Sequence, residues 1–276
     1  QAHLHYSGNW GHDHEDMLNL MVWAYGEELV SDFGKIMTYR LFADGSWGHN
    51  LVVVDRQNQE SVSRPGSIVG WHAPQNEVQV IEASDPAVYP QCEVYRRSLC
   101  LIPIGGADAA TVGEIASDRG DHLVLDVFEV AGGSTHEWMA QGNCINAQTL
   151  EVSVPMAYHA DSYADDGLPF TPPAHREWEK ELQAQGLRPR DVSPWYGVFR
   201  DVHRGEMTNP LLASFTSDDR DLPDLRLHLI GPDDANVYTC TVPSLKQGRD
   251  ARVSDEWDHS IVEKTRTPKL VVRRDG

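Results

Sequence analysis

Basic residues are scarce in this chain of 276 residues: 23 Lys and Arg stand against 42 Asp and Glu, a formal net charge of −19. Neutralising phosphates takes a surplus of Lys and Arg, so a nucleic-acid partner is excluded. The same deficit argues against capturing a polyanion over a broad surface. An anionic substrate would need a locally positive site, made by a metal or by a few Arg and His. Cysteine is also scarce. Cys92, Cys100, Cys144 and Cys240 are too few and too scattered for a disulfide scaffold, and no C-x-x-C pair points to a structural zinc knot. No run approaches the roughly 18 apolar residues that span a bilayer, so no membrane role is read. The opening QAHLHYSGNWGHDHED lacks the basic-then-apolar order of a secretory leader. No HExxH motif is present, which removes the simplest metal-hydrolase signature.

What is present is an ordinary globular balance, 40% hydrophobic and 24% charged, with length enough for a sizeable core. Residues 51–156 read mostly as strands. LVVVD (51–55), EVQVIEA (77–83), EVYRRSLCLI (93–102) and HLVLDVFEV (122–130) are rich in β-branched and aromatic residues, with Gly, Pro, Asn and Asp between them. HLVLDVFEV is apolar on much of both faces, which predicts an internal strand. LRLHLI (225–230), NVYTCTV (236–242) and KLVVRR (269–274) form a second β stretch. Between these, residues 160–200 change to polar, Pro- and Gly-punctuated sequence with one short helix near 173–185, stopped by Gly186. The pattern predicts an all-β chain, a large antiparallel β-sandwich with a short helical surface insertion at about 160–200, in one domain over 1–276.

The first fifty residues differ from the rest. Trp10-Gly11-His12-Asp13-His14-Glu15-Asp16 places two His and three carboxylates in five consecutive positions. On an extended strand His12, His14 and Asp16 would share a face. Asp32 follows in Ser31-Asp32-Phe33-Gly34, and His49 in Trp47-Gly48-His49-Asn50. His, Asp and His form a usual ligand set for a zinc-like divalent ion. HxH pairs also decorate many surfaces without function, and His3 and His5 form another.

The ordered set of these motifs resembles the C-terminal β-domain of the heparinase II/III-like polysaccharide lyases, a family that includes heparin, alginate and oligoalginate lyases. The matching positions are His12, His14, Asp16, Asp32, Gly34, Tyr39, His49, Asn50, Asp55 and Gln59. Tyr95-Arg96-Arg97, Asp126, and Gly132-Gly133 followed by His136-Glu137-Trp138 resemble later strands of the same domain. Gln141 stands where the family often has a second His, and the 160–200 insertion has no counterpart that aligns.

The resemblance implies a supersandwich-like fold and cleavage of uronic-acid polysaccharide by β-elimination. It implies that His14, Asp32 and His49 hold a metal, zinc by ligand type, in a mainly structural role. His12 and Tyr39 would be catalytic at the cleft, and Arg96 and Trp138 would bind substrate. The implied partners are an acidic polysaccharide or oligosaccharide and an N-terminal (α/α) toroid domain, absent from this chain. The chain is therefore expected to be a fragment, inactive alone, from a periplasmic or secreted enzyme. KLVVRR is expected to be left as an unpaired apolar edge, and exposed apolar surface is expected near His12, Tyr39 and His49, where the toroid would dock. The alternative is a non-catalytic carbohydrate-binding or structural β-sandwich that keeps only the fold.

Overall fold

The computed structural model describes residues 1–8, 14–34, 39–74, 77–104, 122–171, 175–186, 194–244 and 264–276. His12 therefore lies outside the described residues. Strands β1 (Ala2–Leu4), β2 (Leu20–Ala24) and β3 (Glu27–Val30) form a small antiparallel sheet. A short helix α1 (Arg40–Asp44) leads toward strand β4 (Val52–Val54). Strands β5 (Ser67–His72), β6 (Gln79–Ser84), β7 (Cys92–Pro103) and β8 (His122–Gly132) then make a four-stranded antiparallel meander. The chain continues through β9 (Thr135–Gln141), β10 (Gln148–Val152), β11 (Ala157–Ser162) and helix α2 (His175–Ala184). Strands β12 (Arg200–Glu206), β13 (Leu211–Ser217), β14 (Leu225–Leu229), β15 (Asn236–Pro243) and β16 (Arg266–Asp275) complete it.

The centre is a six-stranded sheet in the order β11-β12-β15-β16-β9-β4, and β10-β13-β14 forms a separate three-stranded sheet. Period-2 alternation sends neighbouring residues of the central sheet to different cores. Val53, Met139, Val271, Tyr238 and Cys240 face an aromatic cluster with Phe33, Phe42, Trp47, Trp195, Tyr196 and Phe199. Val52 and Val54 face a second cluster, shared with Leu20, Tyr95 and Leu99 of the other sheets. Leu270 and Val237 face a third, against Leu211, Ala213 and Phe215 of β13. Burial on both sides explains why residues 51–54 read as unbroken LVVV. The all-β antiparallel sandwich expected from the sequence is the fold.

Four expectations need correction. β16 is no open edge: it pairs with β15 on one side and β9 on the other, and Leu270 and Val271 are fully buried. The apolar LVV run at its centre is what a strand buried on both faces requires. HLVLDVFEV, expected inside a sheet, is the last strand of its meander among the described residues. Val124, Phe128 and Val130 pack inward, while Leu123, Leu125 and Val127 stay exposed. The 160–200 segment is not merely surface. Its helix covers His175–Ala184 and ends near Gly186 (φ 73°), as expected, but Leu182, Trp195, Tyr196, Val198 and Phe199 are buried in the aromatic cluster. Finally, Tyr39 and His49 are 2% and 0% exposed, so neither lies on the exposed surface expected to centre on them.

Two glycines have identifiable steric duties. A Cβ at Gly132 (φ 101°) would lie 2.2 Å from the Gln91 carbonyl oxygen, so the β8–β9 turn needs glycine there. At Gly48 a Cβ would lie 2.6 Å from the Phe42 carbonyl oxygen, which lets the chain before His49 press against α1.

Candidate metal centre

Four residues from three segments converge beside the central sheet. His14 and Asp16 come from the loop between β1 and β2, Asp32 from just after β3, and His49 from the turn before β4. His14 was expected on a strand; it lies in irregular backbone instead. One ligand atom from each of the four lies within 4.8 Å of the others. His14 Nδ1 is 3.1 Å from His49 Nε2, and His49 Nε2 is 3.2 Å from Asp32 Oδ2 and 4.0 Å from Asp16 Oδ2. Ligands about 2.0–2.2 Å from a tetrahedral ion stand about 3.3 Å apart, so the two shortest spacings match edges of a zinc-like coordination sphere. This buried group could hold a metal ion.

The surroundings favour that use. His49 Nδ1 is 2.8 Å from the Gly45 carbonyl oxygen, where only a ring N–H is tolerated. That hydrogen bond leaves Nε2 directed at the cluster. His14 Nε2 is 3.4 Å from Asp44 Oδ1, so its other nitrogen is the one facing His49. Asp32 accepts from Gly34 N (2.6 Å) and Asn19 Nδ2 (3.0 Å). Asp16 Oδ2 is 2.6 Å from His5 Nδ1, while Asp16 Oδ1 is buried without a hydrogen-bond partner among the described residues.

Burial and charge act together on the titrating groups. Burial pushes the His49 imidazole down, but the Asp32 and Asp16 carboxylates outweigh it and raise the pKa to about 9. Burial and the neighbouring His49 both hold His14 low. For Asp32, burial pushes up while His49, His14 and the Gly34 N–H pull down, and the net is a strongly depressed carboxyl. In the absence of a metal the cluster thus relies on a proton at His49 to offset its carboxylates.

A polar scaffold fixes these loops. Asn50 Nδ2 donates to the carbonyls of Leu20 and Ser31, and Asn50 N donates to Asn19 Oδ1. Gln141 Nε2 bridges the carbonyls of Ser31 and Gly48, and its Oε1 accepts from the buried Lys269 Nζ at 2.7 Å. Arg97 binds Asp126 through two nitrogens and donates through a third to the carbonyls of Leu18 and Asn50. Leu18 needs such a clamp: it sits at φ 67°, which costs a non-glycine residue about 1–2 kcal/mol.

The remaining site candidates are not brought to this cluster. Tyr39 is buried in the aromatic core as the residue preceding α1. Arg96 points to the opposite face of β7 from Arg97, and pairs there with Glu129 (2.5 Å) and Glu82 (3.6 Å). Trp138 is half-buried and wedged between the second and third apolar clusters. Sequence reasoning left Asn19 and Lys269 without a role, marked Arg97 only within the Tyr95-Arg96-Arg97 strand resemblance, and saw Gln141 only as a departure from the family. The one signal available was the density of amides flanking the ligand segments, Asn19, Asn50 and Gln59.

No protein-family model matches the sequence, and no curated protein matches it. Among solved structures, the fold is similar to the crystal structure of a heparan sulfate lyase HepC mutant from Pedobacter heparinus, with 10% sequence identity and a TM-score of 0.40. The match covers 98% of this chain and 29% of that one. The likeness is distant, and the chain spans under a third of that protein's length.

Proposed function

We propose that this chain is the β-domain of a lyase that cleaves uronic-acid polysaccharide by β-elimination, and that it holds a divalent ion, zinc by ligand chemistry, through His14, Asp32 and His49. The observation that carries the reading is the convergence of those three side chains from separate segments, in the order the motif resemblance implies. A module that only bound sugar would have no use for a buried His/Asp ligand set with a further His two residues away.

β-Elimination begins at the C5 proton, which becomes acidic enough only when the adjacent carboxylate is neutralised. A His or Tyr then removes the proton, and a second group protonates the departing glycosidic oxygen. In this reading His12 takes the cleft role, as the group that neutralises the carboxylate or moves the proton. What the bound ion would supply is a cross-link between the His14, Asp32 and His49 segments, which sets the position of the chain beside His12. Tyr39, buried in the core, is assigned no step, and neither are Arg96 and Trp138. The substrate is an acidic polysaccharide or oligosaccharide, and the other wall of the cleft belongs to a helical toroid domain.

The unsaturated uronate product absorbs in the ultraviolet, so turnover of heparin-type and alginate-type polymers is followed directly. Joined to its toroid, the domain should turn over one such polymer, and residues 1–276 alone should not. His12→Ala should lower turnover while circular dichroism and unfolding stay unchanged. Turnover by residues 1–276 alone would contradict the divided site. Binding without turnover by the two-domain protein would favour the non-catalytic reading.

A further inference from the structure

Asp16 has two oxygens in very different situations. Oδ2 is engaged by the His5 ring at 2.6 Å, while Oδ1 is buried with no hydrogen-bond partner among the described residues. The residue is only 5% exposed, and a bare carboxylate oxygen in such a place costs about 1–3 kcal/mol or more unless something binds it. Asp16 belongs to the same group of possible ligand residues as His14, Asp32 and His49, and its Oδ2 stands 4.0 Å from His49 Nε2. His5 is itself fixed from its far side, where Nε2 meets Ser7 Oγ.

From this we propose that Asp16 is the fourth ligand of the metal centre, and that His5 is the positioning residue that presents its oxygen to the ion. This rests on the metal-binding reading above and specifies it. A His2Asp2 set uses all four positions of a tetrahedral ion, so the site is closed to water and to substrate. A closed site is a structural one. The arrangement follows the usual logic of metal centres, in which each ligand is oriented by a hydrogen bond from behind. His49 has the Gly45 carbonyl, Asp32 has Asn19 and Gly34, and Asp16 has His5.

Co2+ replaces zinc and reports coordination number through the intensity of its visible bands, so the test does not depend on enzyme activity. Full-length chain loaded with one equivalent of Co2+ should show intense four-coordinate bands that added azide leaves unchanged. Asp16→Ala should open a position: the bands weaken, azide now shifts them, and zinc affinity falls more than tenfold. His5→Ala should lower zinc affinity about tenfold to a hundredfold while the bands stay four-coordinate. His5→Asn, whose amide can occupy the place of Nδ1, should recover part of that loss. Unfolding curves of each metal-free variant separate loss of fold from loss of ligand. Azide-sensitive wild-type bands, or an Asp16→Ala spectrum and affinity like wild type, would overturn the fourth-ligand assignment while leaving the three-residue site standing. Absence of any bound Co2+ or Zn2+ in wild type would instead remove the metal-binding reading itself.

Discussion

Two of the buried ionic clusters among the described residues, one around Glu137 and one around His49, are built to opposite rules. Around Glu137, which is fully buried, the partners close on one another. Its carboxylate accepts from Arg56 (2.8 Å), Tyr163 (2.9 Å) and Tyr196, and Arg273 stands 3.8 Å away. The Arg56 guanidinium also lies over the Tyr196 ring at 3.9 Å and donates to the Tyr163 carbonyl. Around His49 the cluster stays open: two imidazole nitrogens face each other at 3.1 Å, and one Asp16 oxygen has nothing to accept from among the described residues. A closed set holds a fold together, whereas an open set of the same residue types has room for an ion. Burial alone does not distinguish them; the accounting of each donor and acceptor does.

The largest effect should come from breaking the closed set. Glu137→Ala leaves two guanidinium groups and two hydroxyls without their common acceptor, and removing one partner of a buried ion network costs about 3–5 kcal/mol. Urea unfolding should show that loss, and zinc binding to the folded variant should be unchanged. A variant as stable as wild type would mean that Arg56 and Arg273 find other acceptors, and the contrast between the clusters would fail. Zinc should have the next largest effect, on the open set. Free metal at a hundred times its dissociation constant should stabilise the wild type by about 2.7 kcal/mol, reversibly with chelator. No shift in the thermal midpoint on adding zinc would leave the open set without its expected occupant.

How far each cluster was legible from the sequence follows the same division. The proposed ligands His14, Asp32 and His49 could be marked because their residue types are unusual next to apolar strands and because the motif order is familiar. Asp16 was marked only as sharing a face with His12 and His14, since nothing in HDHED says which carboxylate turns inward. The closed cluster could not be read at all. Glu137 and Arg56 are 81 residues apart and meet only once β4 and β9 pair. Tyr163 and Tyr196 come from the segment read as a polar insertion. Strand positions were visible from period 2, but strand order was not: β16 sits between β15 and β9 by long-range pairing, which its own ten residues do not encode.

A smaller effect separates ligand from neighbour within the open set. His14→Ala should abolish the zinc-dependent stabilisation, because it removes one of the two imidazole donors of the set and leaves His49 as the only nitrogen among the proposed ligands. In the absence of metal the same change should cost little, since it also removes an imidazole that burial and His49 hold in its neutral form. His136→Ala is the control on the closed side. His136 is bound to the Gly132 carbonyl at 2.7 Å and lies beside Glu137, and its loss should leave the zinc response intact. Thermal melts with and without zinc on both variants decide the matter. An equal zinc response in His14→Ala and wild type would remove His14 from the ligand set.

The smallest effect tests the support of the closed cluster through pH. Asp55 accepts from Ser134 N (2.6 Å), Thr135 N (2.9 Å) and Gln91 Nε2 (3.0 Å), and so anchors the start of β9 two residues before Glu137. Burial is the largest single influence and pushes its carboxyl up, but those N–H donors together with His136 outweigh it, so the folded pKa lies below the ordinary value of 3.8. A carboxyl depressed on folding contributes stability that is fully present above the unfolded pKa and is lost as pH falls through the folded one. Asp55→Asn should therefore cost about 1–2 kcal/mol at neutral pH, where charged hydrogen bonds are exchanged for neutral ones. The gap from wild type should narrow as pH drops below about 4, because the wild-type carboxylate is then protonated too. Zinc affinity should be the same in both proteins at neutral pH, since Asp55 supports the closed cluster and not the open one. A gap that stays constant from pH 7 to pH 3 would assign the effect of Asp55 to its shape in the turn rather than to its charge.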